Sequence, residues 1–367
     1  MAAAAVSEDG MQASGERASA RARVARLASW HDDWSGLRVA VLGLGAAGFS
    51  AADTLVELGC RVRAVHAVPD TDRERLLDAI GAERFRAESR PERLGDLAAF
   101  APDLVVASPE YGLDHPLVAW ASEHGIPVWG DIELGWRLRD KTPRVADWIC
   151  IAGDRGKTTT ALLTAHMLVA GGLRATPAGG AGSPVLDALR DPRGYDAIVV
   201  ELSGRQLARL GEVSPYASAC LNFAVAAGGE DAADRDAEAL WAEQARVYER
   251  TQVACVYNRA DRATERMVEE ADVVEGARAV SFGLDSPPPS GFGVVEGILV
   301  DRGFHAERRS EAYEIVTLDE LARLDLASPP MVQNLLAASA LARARGVEPA
   351  EIAQAILGYH RASRERE

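Results

Sequence analysis

Residues 148–168 read WICIAGDRGKTTTALLTAHML, and their order decides the fold class. WICIAG (148–153) is an apolar, β-branched run ending in glycine, the mark of a buried parallel strand. A helical pattern follows from Gly156 to about Val169. Between them, GDRGKTTT (153–160) has the parts that a phosphate chain needs at a helix N-terminus. Gly153 and Gly156 give clearance for the backbone, Lys157 gives charge, and Thr158 places a hydroxyl where a Mg²⁺ would sit, with Thr159 beside it. Two residues separate the glycines, where the usual P-loop has four. The plain alternative is a glycine-containing strand–helix turn with an incidental lysine. Asp154 counts against a working site. A carboxylate beside a bound polyanion repels by roughly 1 to 4 kcal/mol at ~4 Å, depending on screening. That weakens ATP by about one to three decades unless Asp154 points outward.

Working toward the N-terminus, LRVAVLGLG (37–45) is a second short strand closed by glycines. Gly43-x-Gly45-x-x-Gly48 lies in strand–turn–helix context. A dinucleotide site would want an acidic residue about 20 positions on, at the end of the next strand. That strand, 61–66, ends at Val65-His66-Ala67, with Asp70 only later, so another nucleotide-phosphate role is expected rather than NAD. Strand and helix alternate through 104–108 and 126–130, so residues 37–141 are expected to form a Rossmann-like, doubly wound parallel α/β domain. The alternation restarts after KTPR (141–144). AIVVELS (197–203), ACLNFA (219–224) and VACVYN (253–258) read as strands, and 332–346 as a helix closed by Gly346. Residues 142–361 are thus expected to be a P-loop-type α/β domain. SPPPSGFG (286–293) reads as a loop, 228–236 as an acidic interruption, and 1–36 as a flexible N-terminal segment. In VELSGRQL (200–207), Glu201 ends a strand and is either a metal ligand opposite Thr158 or a capping carboxylate.

Composition narrows the function classes. The 367 residues carry 40 Lys plus Arg against 55 Asp plus Glu, a net charge of −15. A chain this acidic, with scattered basic residues, is not a non-specific nucleic-acid binder. Cys60, Cys150, Cys220 and Cys255 form no CxxC pair, which fits a reducing compartment. No apolar run reaches the roughly 18 residues of a membrane span, and the N-terminus lacks a signal-peptide core. A cytoplasmic protein is expected. The seven histidines show no ligand spacing.

Taken together, these motifs resemble the Mur ligase family, most closely its D-glutamate-adding members of actinobacterial type. The matching pieces run collinearly over about residues 37–361: VLGLGAAGFSAA (41–52), 107–137, IAGDRGKTTTALLTAHML (151–168), AGGAGSPVLDALR (178–190), VVELSGRQL, SPYASACLNFA (214–224), ARVYERTQVACVYN (245–258) and GYHR (358–361). The resemblance implies three domains and ATP-dependent amide formation through an acyl phosphate, in peptidoglycan precursor synthesis. ATP, Mg²⁺, UDP-N-acetylmuramoyl-L-alanine and D-glutamate would be the ligands. Carried over by position, Gly45, Ala46, Ala47 and Ser108 would lie near the uridine diphosphate. Lys157, Thr158 and Thr159 would hold the ATP phosphates, Thr158 and Glu201 a Mg²⁺. Asn258 and Asp261 would lie near the adenine, and Arg361 near the γ-phosphate.

Departures from the family pattern fall where the chemistry would be. The family's Asp-His pair is Ala226-Ala227 here, and the lysine that becomes carbamylated is Gln244. The asparagine of its GN-type loop is Gly180, the Thr-Asn of its phosphate loop is Asp154-Arg155, and its His-Asn pair is Pro330-Met331. The chain ends six residues after Arg361, where the third domain would begin, so that domain is expected to be absent. Loss of one such ligand costs about 2.7–4 kcal/mol of barrier, so little turnover is expected from this chain alone, and weakened ATP binding with it. Two readings stay open: a ligase, either divergent or completed by a protein partner that supplies the third domain, and a pseudoenzyme that binds a nucleotide or UDP-sugar. A partitioning-type P-loop ATPase also uses GKTTT but leaves the first domain unexplained.

Overall fold

A computed structural model describes residues 20–180, 182–224 and 237–364, with side chains up to Tyr359. Two compact units emerge: residues up to Pro143 together with Pro184–Arg190, and Arg144–Ser183 together with the chain from Asp191 onward.

In the first unit, β1 (Arg38–Leu42), α1 (Ala46–Glu57), β2 (Arg61–His66), α2 (Thr71–Ile80), β3 (Glu83–Arg86), α3 (Arg90–Phe100), β4 (Leu104–Ala107), α4 (Pro116–Glu123), β5 (Val128–Gly130) and α5 (Asp131–Arg137) alternate as the pattern predicts. The sheet order is β3-β2-β1-β4-β5, parallel throughout. Chain order reverses at β1, which has β2 on one side and β4 on the other. A crevice at the carboxyl ends of β1 and β4 is where such sheets bind ligands. Val39, Val41, Leu42, Val105 and Val106 are fully buried or nearly so, because helices cover both faces of a parallel sheet.

Order begins earlier than the expected residue 37. Val24, Leu27 and Trp34 are buried at 0–2% exposure. Arg137 Nη1 donates to Leu27 O at 2.6 Å, and Ser29 and Trp30 both donate to the Asp140 carboxylate. The apolar residues of 20–36 therefore overrule its polar composition; residues 1–19 lie outside the described part. A second departure is α7 (Val185–Leu189), which belongs to the first unit although flanked in sequence by the second. Asp187 accepts from Ser50 Oγ at 2.5 Å, and Arg190 pairs with Asp53 and Glu57 on α1.

The second unit is built on a nine-stranded sheet in the order β14-β13-β12-β11-β10-β9-β6-β8-β7. It contains β6 (Asp147–Ala152), α6 (Lys157–Ala170), β7 (Ala175–Gly179), β8 (Ala197–Glu201), α8 (Gly204–Leu207), β9 (Ala217–Cys220), α9 (Ala237–Ala245), β10 (Ala254–Asn258), α10 (Arg262–Glu269), β11 (Arg278–Phe282), β12 (Gly291–Val295), β13 (Ile298–Asp301), β14 (Tyr313–Thr317), α11 (Leu318–Arg323), α12 (Pro329–Ala344) and α13 (Pro349–Arg364). Strands β7 to β12 run parallel, and β13 is antiparallel to both its neighbours. The expected strand over ACLNFA ends at Cys220, and the GFG of the expected loop 286–293 starts β12. Helices α6 and α12 bury Leu163, Met167, Leu335, Leu336 and Leu341 against the sheet. Within this core Arg343 Nε meets Asp301 Oδ2 at 2.9 Å, with Asp301 fully buried. The strand order reverses at β6, which puts GDRGKTTT at this sheet's own switch point.

Candidate functional site

The loop after β6 is shaped by its two glycines. Gly153 has φ +135° and Gly156 φ +84°, both in the region that favours glycine. A methyl group on Gly153 would press on Leu221 at 3.2 Å, and one on Gly156 would collide with the Asn334 amide on α12. Helix α6 starts at Lys157 after the N-cap Gly156, which has no side chain to cap it, and the first-turn N–H groups of a helix favour an anion. Lys157 Nζ folds over the loop and donates to Gly153 O at 2.6 Å and Asp154 O at 3.3 Å. Thr158 Oγ1 donates to Glu201 Oε2 at 2.9 Å. Ser203, not Glu201, caps α8.

The environment of Glu201 follows from Gly180, just past the end of β7. A methyl group on Gly180 would stand 2.7 Å from Glu201 Cδ and 2.9 Å from Oε1. The carboxylate thus fills the space that any side chain at position 180 would need. Asp154, expected to crowd a bound anion, is instead directed onto the Ala224 N–H, which donates to its Oδ2.

Residues 221–224, LNFA, form a strap across the carboxyl ends of β6, β9 and β10. Asn222 Oδ1 accepts from the N–H groups of Asp154 (2.9 Å) and Arg155 (3.0 Å), and its Nδ2 donates to Arg155 O at 3.0 Å. On the other side, Asn258 Nδ2 donates to Leu221 O at 3.1 Å, and Asp261 Oδ2 accepts from Phe223 N at 2.7 Å. Asp261 also caps α10 through Ala263 N. The two residues expected near an adenine are therefore joined to the phosphate loop through four consecutive residues. Gln244 is buried and its amide is turned toward Cys220 Sγ, 3.8 Å away. Burial pushes that thiol up to about 12. Ala226 and Ala227 lie outside the described residues, and Arg361 falls on α13 beyond the described side chains.

The donor set suits one hard cation bound together with phosphate. Mg²⁺ keeps several waters and takes one or two protein oxygens plus substrate phosphates, and Thr158 with Glu201 supplies that number. Among the described residues no group of three His, Cys, Asp or Glu side chains could hold a metal ion.

In the first unit, a cavity of about 340 Å³ opens at the carboxyl ends of β1, β2 and β4. Gly43, Leu44 and Gly45 form one wall, with Ala46 and Ala47 on the first turn of α1 beside it. Ser108, 2% exposed, lies against the turn, and its hydroxyl has no hydrogen-bond partner among the described residues. His66 Nδ1 lies 3.0 Å from Val68 O, and burial raises the Tyr111 phenol above its ordinary range. Glu110, Asn222 and Asn334 escaped the sequence reading. A polar residue interrupting the apolar runs ACLNFA and VQNLLAASALA was the signal for the two asparagines.

No family model matches the chain. Among curated proteins, the UDP-N-acetylmuramoylalanine–D-glutamate ligase of Leifsonia xyli subsp. xyli (strain CTCB07) is 57% identical over 343 residues, 89% of this chain and 65% of that protein. The ligase of the same name from Tropheryma whipplei (strain Twist) is 41% identical over 341 residues, 91% of this chain and 69% of that protein. The chain belongs to the Mur ligase family. The ligase of that name from Streptomyces avermitilis is 42% identical over 331 residues, 89% of this chain and 68% of its own length. The chain thus spans about two thirds of the length of these relatives. Solved Mur ligase structures share the fold. The UDP-N-acetylmuramate:L-alanyl-gamma-D-glutamyl-meso-diaminopimelate ligase from Neisseria meningitides aligns with a TM-score of 0.57 at 17% identity, over 88% of this chain and 98% of that one. A murein peptide ligase from Psychrobacter arcticus 273-4 gives 0.54 at 15%, over 88% of this chain and 68% of that one. In this Mur ligase chain no helix among the described residues is long and apolar enough to cross a membrane.

Proposed function

We propose that this chain carries the nucleotide-sugar and ATP sites of a D-glutamate-adding ligase, and that by itself it binds MgATP without completing amide formation at a useful rate. The carrying observation is the Thr158–Glu201 pair, 2.9 Å apart at the mouth of the phosphate loop. In this reading the substrates are UDP-N-acetylmuramoyl-L-alanine and D-glutamate. The substrate carboxylate attacks the γ-phosphate, ADP leaves, and the amine of D-glutamate then displaces phosphate from the acyl phosphate.

Each residue has a stated part. Lys157 leaves the Gly153 carbonyl to meet the phosphates, and the first-turn N–H groups of α6 cradle them. Thr158 and Glu201 would hold Mg²⁺, which when bound would supply positive charge beside the phosphates. Asn222 fixes the loop so that these donors converge, and Asn258 and Asp261 set the far wall for the adenine. Asp154, bonded to Ala224 N, does not enter the phosphate seat. Gln244 is the observation that favours binding over turnover. A neutral amide facing Cys220 Sγ supplies no anionic oxygen to a second cation.

Calorimetric titration of the chain with ATP in Mg²⁺ tests the site. Binding that is tighter in Mg²⁺ than in chelator and weakens more than about tenfold in Lys157→Ala is expected, the equivalent of roughly 1.4 kcal/mol or more. Absence of binding, or equal affinity in Lys157→Ala, contradicts the assignment.

A further inference from the structure

The glycine turn after β1 carries an acidic neighbour to which the reading above gives no part. A methyl group on Gly43 would collide with Glu110 Oε1, and one on Gly45 would lie 3.7 Å from the same atom, so the Glu110 carboxylate rests over the turn. The turn opens α1, whose N-cap is Gly45, a residue with no side chain to cap it. The first-turn N–H groups of a helix and its dipole favour an anion. A second observation points to a ligand at the same place. The buried Ser108 Oγ, without a hydrogen-bond partner among the described residues, would stand 2.9 and 2.7 Å from methyl groups on Gly43 and Gly48. A buried hydroxyl facing the turn without a partner is costly unless a bound group completes it. Of the other charges lining this cavity, Asp70 and Arg73 are paired with each other at 2.6 Å.

We infer that Glu110 is a built-in competitor for the anion seat of this cavity and sets its affinity for diphosphate-bearing ligands. The inference rests on the reading of the first unit as the nucleotide-sugar site and adds to it the residue that tunes selection. A diphosphate entering the turn displaces the carboxylate or shares the helix N-terminus with it, and like charges a few ångströms apart repel. Glu110 is exposed, so solvent screens the repulsion and the side chain has room to swing aside. The effect is a moderated affinity for the charged part of a nucleotide, with the nucleoside part unaffected.

The test is calorimetric titration of the full chain, as wild type, Glu110→Gln and Glu110→Ala, with UDP, uridine and inorganic pyrophosphate. UDP is expected to bind roughly five- to tenfold more tightly to both variants, with uridine unchanged. An unchanged or weaker UDP affinity in Glu110→Gln overturns the inference, as does an equal gain for uridine. UDP bound equally by all three proteins leaves the nucleotide-sugar reading intact and removes only the role of Glu110. Pyrophosphate gaining affinity in the variants while UDP binds none of them supports Glu110 and sinks the nucleotide-sugar reading. No heat from any probe overturns both. An unchanged thermal melt in Glu110→Gln, expected for an exposed side chain, shows that the comparison concerns the site.

Discussion

Glu201 and Gly180 show how one missing side chain arranges a site. Because nothing projects from position 180, the Glu201 carboxylate lies there and meets Thr158 Oγ1. Gly180→Ala places a methyl group 2.7 Å from Glu201 Cδ, and the carboxylate must rotate away. Mg²⁺-dependent ATP affinity is expected to fall about tenfold or more while binding of ATP in chelator stays the same. Titration with and without Mg²⁺ reads this directly, and an unchanged Mg²⁺ effect contradicts it. The sequence held half of this arrangement. Spacing and context marked Lys157 and Thr158, since a strand end and a helix start are local patterns, and left Glu201 open between a ligand opposite Thr158 and a cap. That Gly180 lies against Glu201 is a contact between the ends of β7 and β8, which no local pattern encodes. The outward turn of Asp154 likewise depends on Ala224, 70 residues on.

Among the elements, the strap 221–224 and the segment 20–36 are the informative cases. Asn222 makes three hydrogen bonds to the backbone of the phosphate loop. Asn222→Ala is expected to cost about 1–2 kcal/mol of stability and to weaken ATP at least severalfold, because the loop loses its brace. A melt paired with an ATP titration checks both; ATP affinity equal to wild type would show that the loop holds its shape unaided. In the first unit, Trp34 is 1% exposed, edge-on to Trp129 at 6.2 Å, and its Nε1 donates to Ser29 O at 2.9 Å. Trp34→Ala is expected to destabilise the protein by about 3–5 kcal/mol, measured by urea unfolding. A loss under 1 kcal/mol would mean that residues 20–36 are dispensable. Ala, Arg and Ser around Trp34 hid this docking, since composition averages over the few apolar anchors that decide it. The antiparallel strands β13 and β14 were missed for a related reason: their partners are set by the sheet edge that β12 leaves open.

For the whole chain, two Mur-type α/β units were legible because strand–helix alternation and glycine-closed strands recur along it. What alternation does not carry is the membership of α7 in the first unit, which rests on Asp187 and Arg190 meeting α1. Stability at high pH follows from the four buried, unpaired thiols. Burial pushes Cys60, Cys150 and Cys220 up to about 12, and Cys255 up to about 11, from an ordinary value of 9.0. The native state holds these protons more tightly than the unfolded chain does. Their contribution is complete below the unfolded value and is lost as pH rises from there through the native values. The urea midpoint is expected to fall steadily between 9.0 and about 11. At pH 8 an aromatic disulfide reagent should find no fast-reacting thiol in the native chain and all four in denaturant; a rapidly titrating native thiol contradicts the burial.

We propose that this scaffold keeps a one-cation nucleotide site, with neutral residues, Ala226, Ala227 and Gln244, at the positions where the family resemblance implies further charge-handling groups. The direct measurement is phosphate release by the chain supplied with MgATP, UDP-N-acetylmuramoyl-L-alanine and D-glutamate, beside the same mixture without protein. Release at the protein-free rate, in a preparation that binds MgATP by calorimetry, is the expected result. Sustained turnover of about one per second or faster, within the ordinary range of enzymes, contradicts it.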